Sequence, residues 1–319
     1  MFSYSFCFCF LSKKLCLEMM TMKIQELVLV LLLLCMKPGH IKSQSDDCSF
    51  GRSINLPLEV YQEHYQFNYP KSDAVKDLPS PPILNQGQCG VSKNDQSQQI
   101  VGGKDAPDNA WPWQVWLIFS HGMCGGVIIN RDWIMTAGHC NGGDVAEVYV
   151  GNNSYLKGNR TRTKAAFEHD AVDLALFQLS SPLTFTDSVQ PICLPEGNIW
   201  DASPCFVTGW GETGHFNYVL NSRLQQLRVR NLDQTLCLAH LSLFGLYDRD
   251  GIFFCFSSTG HSGISSGDSG GPVSCMKNGR YYLLGIITHN LPLDGGYVDY
   301  AVSVPRNMQW ITDTILENS

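Results

Sequence analysis

The chain has 319 residues, of which 13 are cysteine, and its 22 Lys and Arg against 29 Asp and Glu give a formal net charge of -7. Its basic residues form no run that could follow a phosphate backbone, which argues against a nucleic-acid partner. From Ile100 onward the chain is long enough for a single all-β barrel protein with a substantial core, so no separate second domain is required there.

In chain order, residues 1–44 read as a signal peptide. Lys23 precedes an apolar run from Leu27 to Met36, and polar Lys37-Pro38-Gly39-His40 follows. A run of this length suits a signal-peptide core and is too short to span a bilayer, so a secreted, extracellular protein without a membrane span is expected. Met19, Met20 and Met22 lie closer to the run than Met1 does, which leaves the Cys7, Cys9 and Cys16 region as an upstream extension. Cysteines routed to an oxidising compartment favour disulfides. No C-x-x-C pair or H-E-x-x-H helix competes, so neither a metal nor a cofactor is expected. Residues 45–99 are polar and carry Leu78-Pro79-Ser80-Pro81-Pro82. Such a stretch buries too little apolar surface to offset its ordering entropy, and it reads as a propeptide.

Beyond Ile100 short β-type runs alternate with turns: Gln114–Phe119, Gly126–Asn130, Ala146–Val150, Ala175–Leu179, Gln226–Val229 and Tyr281–Thr288. That spacing predicts an all-β barrel or sandwich. A C-terminal helix is predicted over Pro305–Leu316, with Met308, Ile311 and Ile315 on one apolar face. Two sequons place glycosylation at Asn152 and Asn159.

The densest chemistry lies in Ser266-Gly267-Asp268-Ser269-Gly270-Gly271-Pro272. One hydroxyl between glycines lets the backbone turn tightly and aim its N–H groups at a developing oxyanion. Alone, Gly-Asp-Ser-Gly would be an ordinary polar surface turn. Two upstream blocks change that reading: Thr136-Ala137-Gly138-His139-Cys140 supplies a histidine, and Asp173-Leu174-Ala175-Leu176 supplies a carboxylate leading into an apolar run. A serine hydroxyl needs a base within hydrogen-bond reach, and imidazole, with an ordinary pKa of about 6.5, suits that task. A carboxylate on the other ring nitrogen would hold the tautomer. His139, Asp173 and Ser269 are therefore the candidate catalytic residues, with the Gly267 and Ser269 N–H groups as the oxyanion hole. His121, His169, His215, His240 and His261 show no ligand-like spacing and read as surface or structural.

Together with Ile100-Val101-Gly102-Gly103, Trp111-Pro112-Trp113-Gln114-Val115, Cys124-Gly125-Gly126, Pro191-Ile192-Cys193-Leu194-Pro195 and Val207-Thr208-Gly209-Trp210-Gly211, these blocks make residues 100–319 resemble a secreted serine protease of the trypsin/chymotrypsin family. The resemblance implies two six-stranded antiparallel β-barrels with the active site between them, and the predicted helix packed on the second barrel. It implies a serine endopeptidase made as a zymogen, whose partners are a polypeptide substrate, an activating protease and a protein inhibitor. The family's disulfides carry over as Cys124 with Cys140, Cys205 with Cys275, Cys237 with Cys255 and Cys89 with Cys193, leaving Cys48 without a partner. Each such bond restricts the unfolded chain by about 2–4 kcal/mol. Cleavage ahead of Ile100 would free an α-ammonium to pair with Asp268.

The chain also departs from the family. Gln99 precedes Ile100 where Arg or Lys is usual, and Ser265 replaces a cysteine whose partner in the 290–299 segment is also missing, which should loosen the specificity pocket. Gly138 stands where Ala is usual and adds backbone freedom beside His139. Thr288-His289-Asn290 replaces Ser-Trp-Gly along the substrate backbone, with Asn290 expected to narrow the pocket mouth. Gly263 falls at the pocket base, where trypsin-like enzymes keep a carboxylate, and Asp299 falls on the opposite wall. Asp299 either attracts Arg or Lys from there or is a solvated loop acid. These departures also fit an alternative, a weak or inactive pseudoprotease acting as a binding protein, and the same triad could serve small esters.

Overall fold

The computed structural model describes residues 88–94, 103–196, 199, 201–212, 220–244, 246, 251–258, 263–293 and 296–319. Gln99, Ile100, Cys48, His215 and His261 lie outside the described residues, as do residues 1–44, read as a signal peptide, and most of residues 45–99, read as a propeptide.

Strands β2 (Gln114–Phe119), β3 (Gly122–Ile128), β4 (Trp133–Thr136), β5 (Glu147–Val150), β6 (Asn159–Glu168) and β7 (Ala175–Leu179) close an antiparallel barrel in the order β2-β3-β4-β7-β6-β5. Residues of β2 and β4 are buried almost throughout because the closed sheet has an interior on one side and neighbouring chain on the other. A second ring comprises β8 (Cys205–Gly209), β9 (Gln225–Asn231), β10 (Phe253–Ser258), β11 (Pro272–Lys277), β12 (Arg280–Leu293) and β13 (Gly296–Ser303), with β8 pairing β9 to close it. The short β1 (Lys104–Asp105) pairs antiparallel with the start of β9. Six described strands per barrel match the expected architecture, and the six predicted runs fall on β2, β3, β5, β7, β9 and β12. The main difference in length is β12, which continues past Thr288 to Leu293 by pairing with β13.

The Trp111-Pro112-Trp113-Gln114 segment joins the two barrels. The Trp111 ring packs against Phe206 and Tyr281 of the second barrel, at 5.3 and 5.0 Å between centroids. Its Nε1–H donates to Gln226 Oε1 at 2.6 Å, Trp113 Nε1–H donates to Ser274 Oγ at 3.2 Å, and Thr208 Oγ1–H donates to Gln114 Oε1 at 2.6 Å. Large rings supply apolar area while these bonds satisfy the polar atoms that burial would otherwise strand.

Two helices are described. Helix α1 (Gln234–Leu243) was not anticipated from apolar periodicity; it starts because the Asp233 carboxylate accepts from Thr235 N and Leu236 N. Helix α2 (Val304–Glu317) starts at Ser303, whose hydroxyl accepts from Arg306 N, with a proline in its first turn. Ile311 and Ile315 are buried as predicted, and Met308 is half-buried. The helix does more than cover the second barrel. Its buried residues share a core with β7, Gln178 Nε2–H of β7 donates to Asn318 O at 2.9 Å, and Trp310 lies against His169 at 4.9 Å. All four implied disulfides are formed: Cys89–Cys193, Cys124–Cys140, Cys205–Cys275 and Cys237–Cys255. No helix among the described residues is long and apolar enough to cross a membrane.

Candidate active site

Antiparallel pairing brings the histidine and aspartate blocks together. In β4 and β7, Thr136 lies opposite Ala175, so the residues just after Thr136 and just before Ala175 emerge at the same end of the first barrel. There a single 3-10 turn, Gly138–Cys140, carries His139, and the Cys124–Cys140 bond ties that turn to β3. Asp173 Oδ1 accepts the His139 backbone N–H at 2.7 Å, and Asp173 Oδ2 lies 2.8 Å from His139 Nδ1. One carboxylate thus fixes both the backbone and the ring of its partner. Burial pulls the Asp173 carboxyl upward, but the His139 hydrogen bonds and the charges of His139 and His289 outweigh it and hold the group below its usual value. Gly138 sits against this pair, where an added Cβ would lie 3.2 Å from Asp173 Oδ1, so its small size, and not a left-handed torsion, is what matters.

Ser269 reaches the same end from the second barrel. Gly125 N–H donates to Ser269 O at 2.8 Å, and a Cβ at Gly270 would collide with Thr136 Oγ1 and Gly125 O. Gly270 also has φ +79°, so glycine is required there twice over. The serine loop is thereby seated on the segment that leads into His139. Ser269 Oγ has no hydrogen-bond partner among the described residues, His139 included, and the same holds for the Gly267 and Ser269 N–H groups. Catalytic hydrogen bonds are commonly loose before substrate binds.

Asp268 turns away from Ser269. Its carboxylate accepts from Gly211 N at 2.8 Å and Ser265 N at 3.0 Å, and burial pushes its pKa up against those bonds. No cation among the described residues pairs with it. The chain of Gly209 and Gly211 wraps this carboxylate so closely that a Cβ at either position would collide with an Asp268 oxygen. That is the physical reason for Gly-Trp-Gly here. Gly211→Ala should lower stability by about 1–3 kcal/mol, the cost of overpacking, with a drop in Tm by calorimetry; an unchanged Tm would remove Gly211 from this role.

The specificity wall corrects three expectations. Asp299 is not a solvated loop acid: it lies in β13 opposite Asn290 and is 1% exposed. Its Oδ1 has no hydrogen-bond partner among the described residues. Burial pushes the carboxyl up to about 7; an Ile264 backbone N–H opposes this and the charge of Asp268 adds to it. A Cβ at Gly263 would touch both Asp299 oxygens at 3.5 Å, so glycine places no side chain against that buried carboxylate on the pocket-base side. Next, Asn290 does more than narrow the mouth: its Nδ2–H donates to Ile264 O at 3.0 Å, joining the two walls. Finally, the missing disulfide does not leave its site without cross-links. Beside the Asn290 bond, Ser265 Oγ–H donates to Glu212 O at 3.1 Å. Thr288 Oγ1–H donates to Tyr300 O at 3.3 Å, and the exposed His289 stacks on the Tyr300 ring. The sequence carried a signal for this polar repair, because Ser265 and Asn290 both replace the family's usual residues, but no pattern shows which atoms meet.

A family model described as trypsin matches residues 100–311. The chain belongs to the trypsin family of serine endopeptidases. Among curated relatives, a mouse protein called transmembrane protease serine 7 is 33% identical over 212 residues, covering 60% of this chain and 25% of its own length. A rat protein called chymotrypsin-like elastase family member 1 is 32% identical over 213 residues, covering 60% of this chain and 79% of its own. The chain therefore spans a quarter of the first relative and about four fifths of the second. Both alignments stop short of the whole chain, and the family match begins at Ile100, where the sequence pattern changes.

Proposed function

We propose that this trypsin-family chain is a secreted serine endopeptidase, made as a zymogen, that cleaves peptide bonds through an acyl-enzyme on Ser269. The observation that carries the reading is the doubly bonded His139–Asp173 pair with the serine loop seated on the neighbouring Gly125 and Thr136. His139 takes the Ser269 proton as Oγ attacks the scissile carbonyl, and the Gly267 and Ser269 N–H groups receive the oxyanion. His139 then passes that proton to the leaving amine. Water, deprotonated by the same imidazole, releases the acyl group and restores Ser269.

In this reading residues 1–44 are the signal peptide and residues 45–99 the propeptide, with cleavage ahead of Ile100 supplying the cation that Asp268 lacks. A buried carboxylate without a partner is costly, so an arriving ammonium can order the loop around it. The Cys89–Cys193 bond would keep the propeptide attached after cleavage. Exposed Asn152 and Asn159 suit glycosylation, and an activating protease and a protein inhibitor are the further partners. Substrate side chains would enter between Gly263 and the Thr288-His289-Asn290 edge, with Asp299 selecting Lys or Arg. A binding-only role would give the paired His139 and Asp173 no chemical purpose.

A fluorophosphonate probe on protein cleaved at Ile100 should label Ser269 and spare Ser269→Ala. Absence of labelling in the parent would reject the proposal.

A further inference from the structure

A second imidazole stands beside the triad. His289, on β12, is exposed, and its ring is stacked on Tyr300 with centroids 5.9 Å apart and 16° between planes. Its centroid lies 5.3 Å from that of His139. One donor atom from each of His139, Asp173 and His289 falls within 4.8 Å of the others.

These distances suit a tetrahedral metal ion. With Zn–N of about 2.0–2.1 Å and about 1.1 Å more to the ring centre, two imidazoles on one zinc ion place their centroids about 5.2 Å apart at the tetrahedral angle. The observed 5.3 Å is close to that separation, and an ion held by both His139 and Asp173 would replace the present 2.8 Å Nδ1–Oδ2 hydrogen bond and part its two atoms slightly. Two imidazoles and one carboxylate form a donor set for zinc and similar borderline ions, whereas calcium and magnesium call for oxygen ligands. The side chains of His139 and Asp173 are 38% and 23% exposed, which leaves solvent access to the pair. Both rings are also held in place, His139 by its disulfide-anchored turn and His289 by the Tyr300 stack. The neighbouring group of Cys124, His139 and Cys140 offers no such site, because both sulfurs are bonded to each other.

We propose that His139, Asp173 and His289 form a binding site for a zinc-class divalent cation, and that its occupation silences the protease reversibly. A bound ion occupies a lone pair of the imidazole that must move the Ser269 proton and competes for the carboxylate that orients it. No covalent bond is made or broken, and a chelator restores the free triad. The site itself depends only on these three side chains; its inhibitory effect rests on the catalytic reading above.

The first test needs no catalysis. In the full chain carrying Ser269→Ala, zinc binding is followed by calorimetry and cobalt binding by its ligand-field absorption. His289→Phe keeps an aromatic ring for the Tyr300 stack and removes the ligand, and it should weaken zinc affinity at least about tenfold. His139→Gln should do the same. No zinc binding in the parent, or equal affinity in the His289→Phe protein, overturns the site. In the second test, zinc should slow fluorophosphonate labelling of the cleaved parent, a chelator should restore it, and His289→Phe should reduce that sensitivity. Zinc that binds through His289 without slowing labelling overturns the inhibitory half. Failure of labelling without zinc refutes the catalytic reading instead and leaves the calorimetric result standing.

Discussion

Asp173→Asn is expected to lower turnover of the cleaved protease by about 10⁴ while leaving the fold intact. The substituted amide has nearly the same shape, and its oxygen can still accept the His139 backbone N–H that Asp173 Oδ1 accepts at 2.7 Å. The change falls on the ring bond. Where Asp173 Oδ2 accepts from Nδ1, an amide NH₂ would donate, which leaves the ring proton on Nε2 and removes the lone pair that the proposed mechanism uses as base. The lost charge also ceases to stabilise the imidazolium formed during attack. Because the Asp173 carboxyl is held below its usual value, its ionised form contributes stability above about pH 4, and that contribution is lost as pH falls through the depressed folded value. The variant should therefore show a flatter acid limb in thermal unfolding. Peptide turnover within a hundredfold of the parent would refute the assignment.

The second large effect concerns selectivity. Asp299→Gly should lower kcat/KM for substrates with Arg or Lys before the scissile bond by about 10²–10³, in line with truncating one member of a buried charge pair, and should spare substrates with apolar side chains there. The buried carboxylate with an uncommitted oxygen, facing a glycine, is what a guanidinium or ammonium would meet. Its pKa of about 7 adds a pH signature. Below that value the empty pocket holds a neutral acid and the preference for basic side chains weakens; above it the carboxylate ionises and the preference grows. Taking the ratio of basic to apolar substrates at each pH cancels the His139 step, which both share. The groups acting on the carboxyl are Asp268, which repels its charge, and the Ile264 N–H, which favours it. Stability carries the opposite sign. A raised folded pKa means that the native state holds its proton more tightly, so the contribution present below about pH 4 is lost as pH rises towards about 7. Asp299→Gly should thus raise Tm at pH 8 relative to pH 5. A pH-independent substrate ratio would show that Asp299 does not face the bound side chain.

Much of this site was legible because its parts are local. A hydroxyl between glycines, a histidine beside a disulfide cysteine and an aspartate leading into an apolar strand each announce their chemistry within a few residues. The strands were visible for the same reason, as short apolar runs between turn residues. Helix α1 was missed because its start depends on one Asp233 side chain and its apolar residues follow no clean stripe. Asp299 was ambiguous because a Gly-rich segment hides the register of β13, and a shift by one residue sends a side chain to the other face of a sheet.

Local sequence determined the all-β class, the histidine, aspartate and serine blocks of the candidate site and the cysteines available for pairing, since each depends on residue type and near neighbours. Tertiary structure alone decided that Asp299 is buried with Oδ1 left without a hydrogen bond among the described residues, that Asn290 bridges to Ile264, and that the His289 and His139 ring centroids stand 5.3 Å apart. Those facts arise where strands and loops distant in the chain meet, and burial, pKa and metal-ligand distance are properties of that meeting, not of any one residue.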